Sequence, residues 1–128
     1  MTSNAYVECR FLVPTLRNTT RELHSPTAWR LLQDALLARF QGSQGPRIRI
    51  FFSPSLHPGD WAPVANAPAV TDECREYLVA VESSRLDELR DLLGRAAVTF
   101  DQEVIYVSIA GTVDYIPKHP ARSGLEDE

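Results

Sequence analysis

The sequence predicts an α+β fold of the ferredoxin-like kind, because its regular elements follow in the order strand, helix, strand, strand, helix, strand. Four short runs rich in β-branched and aromatic residues indicate strands. Two longer runs repeat apolar residues at helical spacing, and turn-forming residues separate the runs. A fold of this kind has four antiparallel strands with two helices on one face. The predicted strands cover residues 6–13, 47–52, 76–81 and 104–109, and the predicted helices cover residues 26–40 and 85–97.

The first strand and the first helix carry the clearest local signals. Pro14 has no N–H to donate to a strand ladder, so it ends the first strand. Ser25 is a favourable N-cap, and Pro26 suits the first helical position. Apolar residues then recur three and four positions apart, which predicts a helix with one buried stripe. That stripe consists of Trp29, Leu32, Leu36 and Phe40.

The second half of the chain repeats the pattern with weaker boundaries. The third strand is apolar from Tyr77 onward, which is typical of a central strand and leaves its register ambiguous by one residue. Ser84 followed by Asp87 resembles a capping box and starts the second helix. Gly111 marks a bend after the fourth strand. Residues 112–116 either extend the sheet edge or form a short extra strand.

The length of 128 residues predicts a single domain, which we place at residues 1–116. Its least regular segment is the long loop at residues 53–72, which contains four prolines and Trp61. We expect residues 117–128 to be a disordered acidic tail. No apolar run is long enough to span a bilayer and no signal peptide is apparent, so we expect a cytoplasmic protein with no membrane partner.

The composition narrows the function classes further. A formal net charge of -4 makes nucleic acid an unlikely partner. Twelve of the thirteen basic residues are arginines, whose planar guanidinium groups suit carboxylate or phosphate ligands. Cys9 and Cys74 are expected to be reduced and packed among apolar side chains. His57, Asp60 and the 72–74 acidic and cysteine cluster match no known ligand spacing, so we predict no metal site and no cofactor.

The sheet face that the helices leave uncovered, here called the open face, is the predicted location of a site. Alternation along the strands places the following residues there: Tyr6, Glu8, Arg10, Leu12, Arg49, Phe51, Tyr106 and Ser108. Depending on its register, the third strand adds either Arg75, Tyr77 and Val79 or Glu76, Leu78 and Ala80. This set is too aromatic for ordinary surface and too charged for a second core.

Three interpretations of the open face compete. Two sheets pack face to face in a homodimer, or the face and the 53–72 loop enclose a pocket for a small anionic ligand. In the third interpretation, aromatic side chains stack on bases as in RNA-recognition sheets, but the basic glycine-aromatic signature of those sheets is missing. The candidate ligand-binding residues are Arg10, Arg49, Arg75, Tyr6, Phe51, Tyr77 and Trp61.

Two open-face residues are candidates for proton transfer. Glu8 is one and Tyr106 is the other, although Glu8 and Arg10 would also form a plain ion pair across the sheet. The favoured hypothesis is a non-catalytic binding or regulatory module, with a homodimer or another protein as partner, that self-associates through the open face. The alternative is a small enzyme or anionic-ligand-binding protein of the dimeric α+β-barrel kind, with a pocket under loop 53–72. The sequence does not decide whether the protein is an enzyme.

A family resemblance adds to the prediction of the fold. The segment Gly59-Asp60-Trp61, residues 70–77, the helix from Arg85 and residues 102–108 resemble a group of small bacterial ferredoxin-like proteins of unknown function. The resemblance covers about residues 6–116. It implies a ferredoxin-like fold and implies no activity.

Overall fold

A computed structural model describes residues 5–40, 49–53, 74–119 and 124–127. In order along the chain, the strands and helices are β1 (Tyr6–Pro14), α1 (Pro26–Phe40), β2 (Arg49–Ser53), β3 (Cys74–Glu82), α2 (Leu86–Thr99), β4 (Val104–Ile109) and β5 (Thr112–Pro117). Short 3₁₀ turns occupy Ser83–Arg85 and Leu125–Asp127. Apart from Ser53, the predicted loop 53–72, with Trp61, lies outside the described residues.

The sheet has the order β2-β3-β1-β4-β5, and every neighbouring pair is antiparallel. Its first four strands have the ferredoxin-like order, so the predicted fold class is confirmed. The bounds of α1 and β4 agree with the prediction. Residues 112–117 form a fifth strand, joined to β4 through Ala110 and Gly111. Both of those residues have positive φ, as a two-residue hairpin turn with the twist of its strands requires.

The helices cover one face of the sheet and form a single large core with it. Helix α1 contributes Ala28, Leu32, Ala35, Leu36 and Phe40, which are all buried. Helix α2 contributes Leu89, Leu92, Leu93, Ala96 and Ala97. In the described part of the chain no helix is long and apolar enough to cross a membrane.

The two helix starts differ from each other. At α1 the hydroxyl of Ser25 accepts a hydrogen bond from the Ala28 N–H at 3.2 Å, which confirms the predicted cap. At α2 the predicted Ser84 cap is replaced, because Ser84 lies inside the 3₁₀ turn that precedes the helix. The Arg85 side chain instead donates to Glu88 at 2.9 and 3.0 Å and to the Arg39 carbonyl. Arg85 therefore ties the start of α2 to the end of α1.

The connection between β1 and α1 is fixed at several points. Leu16 and Leu23 form an isolated bridge, and the Gln102 amide donates to the Leu16 carbonyl at 2.9 Å. The Asp101 carboxylate accepts from the Thr19 hydroxyl at 2.6 Å and from the Thr19 N–H at 2.8 Å. These hydrogen bonds favour the charged carboxylate and lower the pKa of Asp101.

His24 closes this connection against the core. Its Nε2 lies 2.8 Å from the Pro14 carbonyl oxygen, so this nitrogen carries the proton and donates it. The imidazole meets the rings of Trp29 and Phe100 edge to face, with centroids 5.5 and 4.8 Å away. Among the described residues, its buried Nδ1 has no hydrogen-bond partner.

The end of the chain differs from the expected disordered tail. Leu125, in the final 3₁₀ turn, is only 2% exposed and belongs to the main core. Its N–H donates to the Thr99 hydroxyl at 2.7 Å. A Cβ at Gly124 would overlap the same hydroxyl, so glycine permits this close approach to α2. The single buried side chain of Leu125 therefore docks the 124–127 segment on the core, and Gly124 leaves the space that this docking needs.

Candidate functional site

The register of β3 decides which residues share the open face. Glu76 pairs with Leu12, and Leu78 pairs with Arg10, so Glu76, Leu78 and Ala80 face away from the helices. This corrects the expected placement of Arg75 and Tyr77, which lie on the helix side. Tyr77 is fully buried in the core. The Arg75 guanidinium lies 4.0 Å from the centre of the Trp29 ring on α1, a cation–π contact.

Two neighbouring rows of residues cross the open face from β2 to β5. The first row, in register order, is Phe51, Glu76, Leu12, Tyr106 and Tyr115. The second row is Arg49, Leu78, Arg10, Ser108 and Val113. Arg10 and Arg49, two predicted anion anchors, therefore stand on either side of Leu78 in the register.

Part of the open face is buried although no helix packs on it. Glu76 is 6% exposed, Leu12 3% and Tyr106 7%, and Leu12 forms a small second cluster with Tyr106 and Cys74. In contrast, Arg10 is exposed on the neighbouring row. The open face thus combines a protected apolar patch, an enclosed carboxylate and an accessible guanidinium.

Glu76 is the unusual residue of this patch. Within the described part of the chain, its carboxylate makes no hydrogen bond and no ion pair. Burying a carboxylate costs free energy unless a cation or donors compensate it. A carboxylate in this position can accept a cationic group of a bound ligand.

The sequence prediction missed Glu76 as a site residue because it depended on the register of β3. The only sequence signal for Glu76 was that it is a charged residue in an apolar run. Only one of the two possible registers of β3 placed it on the open face. Periodicity along a strand that is apolar on both faces does not fix which side faces the helices.

The two predicted candidates for proton transfer, Glu8 and Tyr106, do not lie together. Tyr106 pairs with Leu12 on β1. Leu12 and Glu8 are four residues apart on that strand, so their main-chain positions are about 13 Å apart. Glu8 is exposed and pairs with Ala80. Tyr106 instead shares its row with Glu76, and its ring meets that of Tyr115 edge to face, with centroids 5.8 Å apart.

The other groups with chemical potential are two buried cysteines, Cys9 on the helix side of the sheet and Cys74 in the open-face cluster with Leu12 and Tyr106. Burial raises the pKa of the Cys9 thiol to about 11, so this thiol on the helix side stays protonated at neutral pH. Cys74 is also buried. Over residues 5–40, 49–53, 74–119 and 124–127, no three His, Cys, Asp or Glu side chains are placed to hold a metal ion. His57, Asp60, Asp72 and Glu73 lie outside those ranges.

Comparisons with known proteins give two structural matches. No protein family and no curated protein matches the sequence. A phage SAM lyase in complex with S-methyl-5'-thioadenosine matches with a TM-score of 0.56 and 14% identity, over 91% of this chain and 93% of that one. A phage SAM lyase in the apo state matches with a TM-score of 0.51 and 12% identity over the same shares.

At these identities the likeness shows the fold alone. It agrees with the α+β arrangement of the sheet and helices described above. The expected resemblance to small bacterial proteins of unknown function is not confirmed by the matches. The chain is therefore a ferredoxin-like α+β domain, and 91% of it matches the fold of the two structures above.

Proposed function

We propose that this protein is a small enzyme that binds a sulfonium compound of the S-adenosylmethionine type on the open face and cleaves it. The observation that carries the proposal is Glu76, a residue only 6% exposed whose carboxylate has no hydrogen-bond or ion-pair partner in the described part of the chain. A sulfonium ion is a compact organic cation that donates no hydrogen bonds. A carboxylate beside apolar side chains, here Leu12 and Tyr106, complements such a cation.

Arg10 supplies the opposite charge. It is exposed, it lies diagonally from Glu76 across the β1–β3 pair, and no ion pair in the described residues involves it. Diagonal neighbours of this kind are about 7–8 Å apart. S-Adenosylmethionine carries both a sulfonium centre and an amino-acid carboxylate. A site with a carboxylate and a guanidinium at this spacing suits both charges of that molecule.

The structural match supports the same ligand class. The matched protein is a lyase named for SAM, and it was observed with S-methyl-5'-thioadenosine. This thioether is what remains when the bond between sulfur and the four-carbon amino-acid fragment of S-adenosylmethionine breaks. The match covers 91% of this chain, which supports a shared arrangement of sheet and helices.

Cleavage returns the electron pair of the carbon–sulfur bond to sulfur, and the four-carbon fragment must gain a pair in exchange. If Glu76 acts as a base, it takes a proton from the carbon next to the breaking bond, and an alkene forms. If Glu76 only holds the cation, the substrate's own carboxylate supplies the pair and the fragment leaves as a cyclic ester. The identity of the four-carbon product therefore reports the role of Glu76.

The test is incubation of the full chain with S-adenosylmethionine, followed by mass spectrometry of the thioether and of the four-carbon product. The wild-type protein should form S-methyl-5'-thioadenosine well above the protein-free rate. Glu76→Gln should slow this at least about a hundredfold, since it removes the negative charge and the base. Glu103→Gln, at an exposed position, is the matched control and should retain the wild-type rate. A wild-type protein that neither binds nor cleaves the compound would refute the proposal.

A second candidate function is a non-catalytic module that self-associates through the open face. Exposed apolar residues on that face favour it, since Tyr6, Val113 and Tyr115 are each nearly half exposed. If the face is only an interface, Tyr106→Ala should convert a dimer to monomers in sedimentation experiments, and Arg10→Ala should have little effect. If the face is a site, Arg10→Ala should weaken ligand binding and leave the assembly unchanged. A pocket under loop 53–72 remains a prediction.

A further inference from the structure

Tyr115 extends the row of the candidate site onto the fifth strand. It pairs with Tyr106 in the β4–β5 hairpin, and the two rings meet edge to face at an interplanar angle of 67°. Tyr106 is buried against Leu12, whereas Tyr115 remains 46% exposed. An edge-to-face contact holds an aromatic ring in place without covering all of it. The site row thus ends in a fixed and accessible aromatic ring.

The buried carboxylate and this ring lie in one line across the sheet. Glu76, Leu12, Tyr106 and Tyr115 occupy successive strands at one register level. Three strand spacings of about 4.8 Å separate the ends of the line, or about 14 Å between main-chain positions. A ligand along this line would contact a carboxylate at one end and an aromatic ring at the other.

We propose that Tyr115 is the base-stacking residue of the site and makes it selective for sulfonium compounds that carry a purine. This inference rests on the function proposed above and adds the part of the substrate that the charged residues do not recognise. Every nucleobase has a flat π face, and stacking on an aromatic side chain contributes substantially to its binding. Tyr115 lies on strand β5, which is additional to the four strands of the ferredoxin-like order.

The charge of the row favours a nucleoside over a protein surface as the occupant. A partner protein that covered the row with apolar side chains would leave the Glu76 carboxylate buried without compensation, which is costly. A ligand with a cation at one end and a flat ring at the other compensates the charge and covers the tyrosine. The row therefore offers a group that complements each end of the ligand, Glu76 for the cation and Tyr115 for the flat ring.

The experiment separates the two parts of the ligand with two probes. S-Methyl-5'-thioadenosine carries the purine without the cation, and S-methylmethionine carries a sulfonium without a purine. Binding of each probe to the full chain is measured by calorimetry for wild type, Tyr115→Leu, Tyr115→Phe and Glu76→Gln. Leu37→Ala is the matched control, because Leu37 is also an exposed apolar side chain but lies on α1, away from the open face.

The inference predicts a crossed pattern. Tyr115→Leu should weaken binding of S-methyl-5'-thioadenosine about tenfold and leave binding of S-methylmethionine unchanged. Tyr115→Phe and Leu37→Ala should bind both probes as the wild type does. Glu76→Gln should lose binding of S-methylmethionine and retain binding of S-methyl-5'-thioadenosine. Unchanged melting temperatures of the variants would show that the fold is intact.

Each other outcome has a defined meaning. If Tyr115→Leu binds the thioadenosine as tightly as wild type, the stacking role is refuted whether or not S-adenosylmethionine is cleaved. If wild type binds the thioadenosine through Tyr115 but does not cleave S-adenosylmethionine, the stacking inference stands and the proposed reaction fails. If wild type binds neither probe, both proposals fail.

Discussion

Tyr77 stacks on Phe11 across the β1–β3 pair, with ring centroids 5.0 Å apart and planes only 4° from parallel. The two residues are register partners, and both are fully buried beneath the helices. Because neighbouring residues in a strand point to opposite faces, this contact places Glu76 on the open face. A core aromatic pair therefore fixes the position of the carboxylate that defines the candidate site.

Phe11→Ala should cost about 3–5 kcal/mol in the free energy of unfolding, because it leaves a cavity beside the Tyr77 ring. Urea unfolding followed by circular dichroism measures this loss. Phe11→Leu retains most of the buried volume and should cost clearly less. A loss below about 1 kcal/mol for Phe11→Ala would show that the stacked pair contributes little to the core.

Glu76→Gln should stabilise the ligand-free protein by about 1 kcal/mol even though it removes the proposed function. The substitution replaces a buried charge that lacks a partner in the described residues with a neutral group of the same shape. Thermal and urea unfolding at neutral pH test this, with Glu103→Gln as an exposed control that should change stability by less than about 0.5 kcal/mol. A destabilised Glu76→Gln protein would mean that the carboxylate has a structural partner instead.

Local sequence signals predicted those parts of the fold that local interactions determine. Helix α1 begins and ends where the Ser25 cap and the apolar stripe indicated, because capping and periodicity act within a few residues. The face of Glu76 was not predictable, since β3 is apolar on both sides and only its pairing with β1 selects one. Leu125 was not predictable either, because a single apolar residue in a polar tail has no periodicity.

Acidification should destabilise the protein through His24. Burial is the main cause that lowers its pKa below the ordinary 6.5, and nearby Arg17 acts in the same direction. The unfolded chain therefore takes up the proton at a higher pH than the folded protein does. The stabilisation is fully present above pH 6.5 and is lost as the pH falls through the lower pKa of the folded state.

The measurement for His24 is the free energy of unfolding between pH 7.5 and pH 5.5, compared between wild type and His24→Gln. The wild-type value should decrease toward pH 5.5, and the variant should show a smaller slope. Equal slopes for wild type and His24→Gln would refute the assignment to His24.

The docked end of the chain should contribute measurably to stability, although it is only a short turn. Leu125→Ala removes a side chain that is 2% exposed and should cost about 2 kcal/mol, the lower end of the range for buried leucines because a terminal segment relaxes easily. Gly124→Ala should have a similar effect for a different reason, since its Cβ would overlap the Thr99 hydroxyl and push the turn away from α2.

Hydrogen exchange at the Leu125 amide, which donates to that hydroxyl, reports docking directly and should become fast in both variants. Glu103→Gln, at an exposed position outside this turn, should retain slow exchange. Fast exchange already in the wild-type protein would show that the turn is not held against α2 in solution.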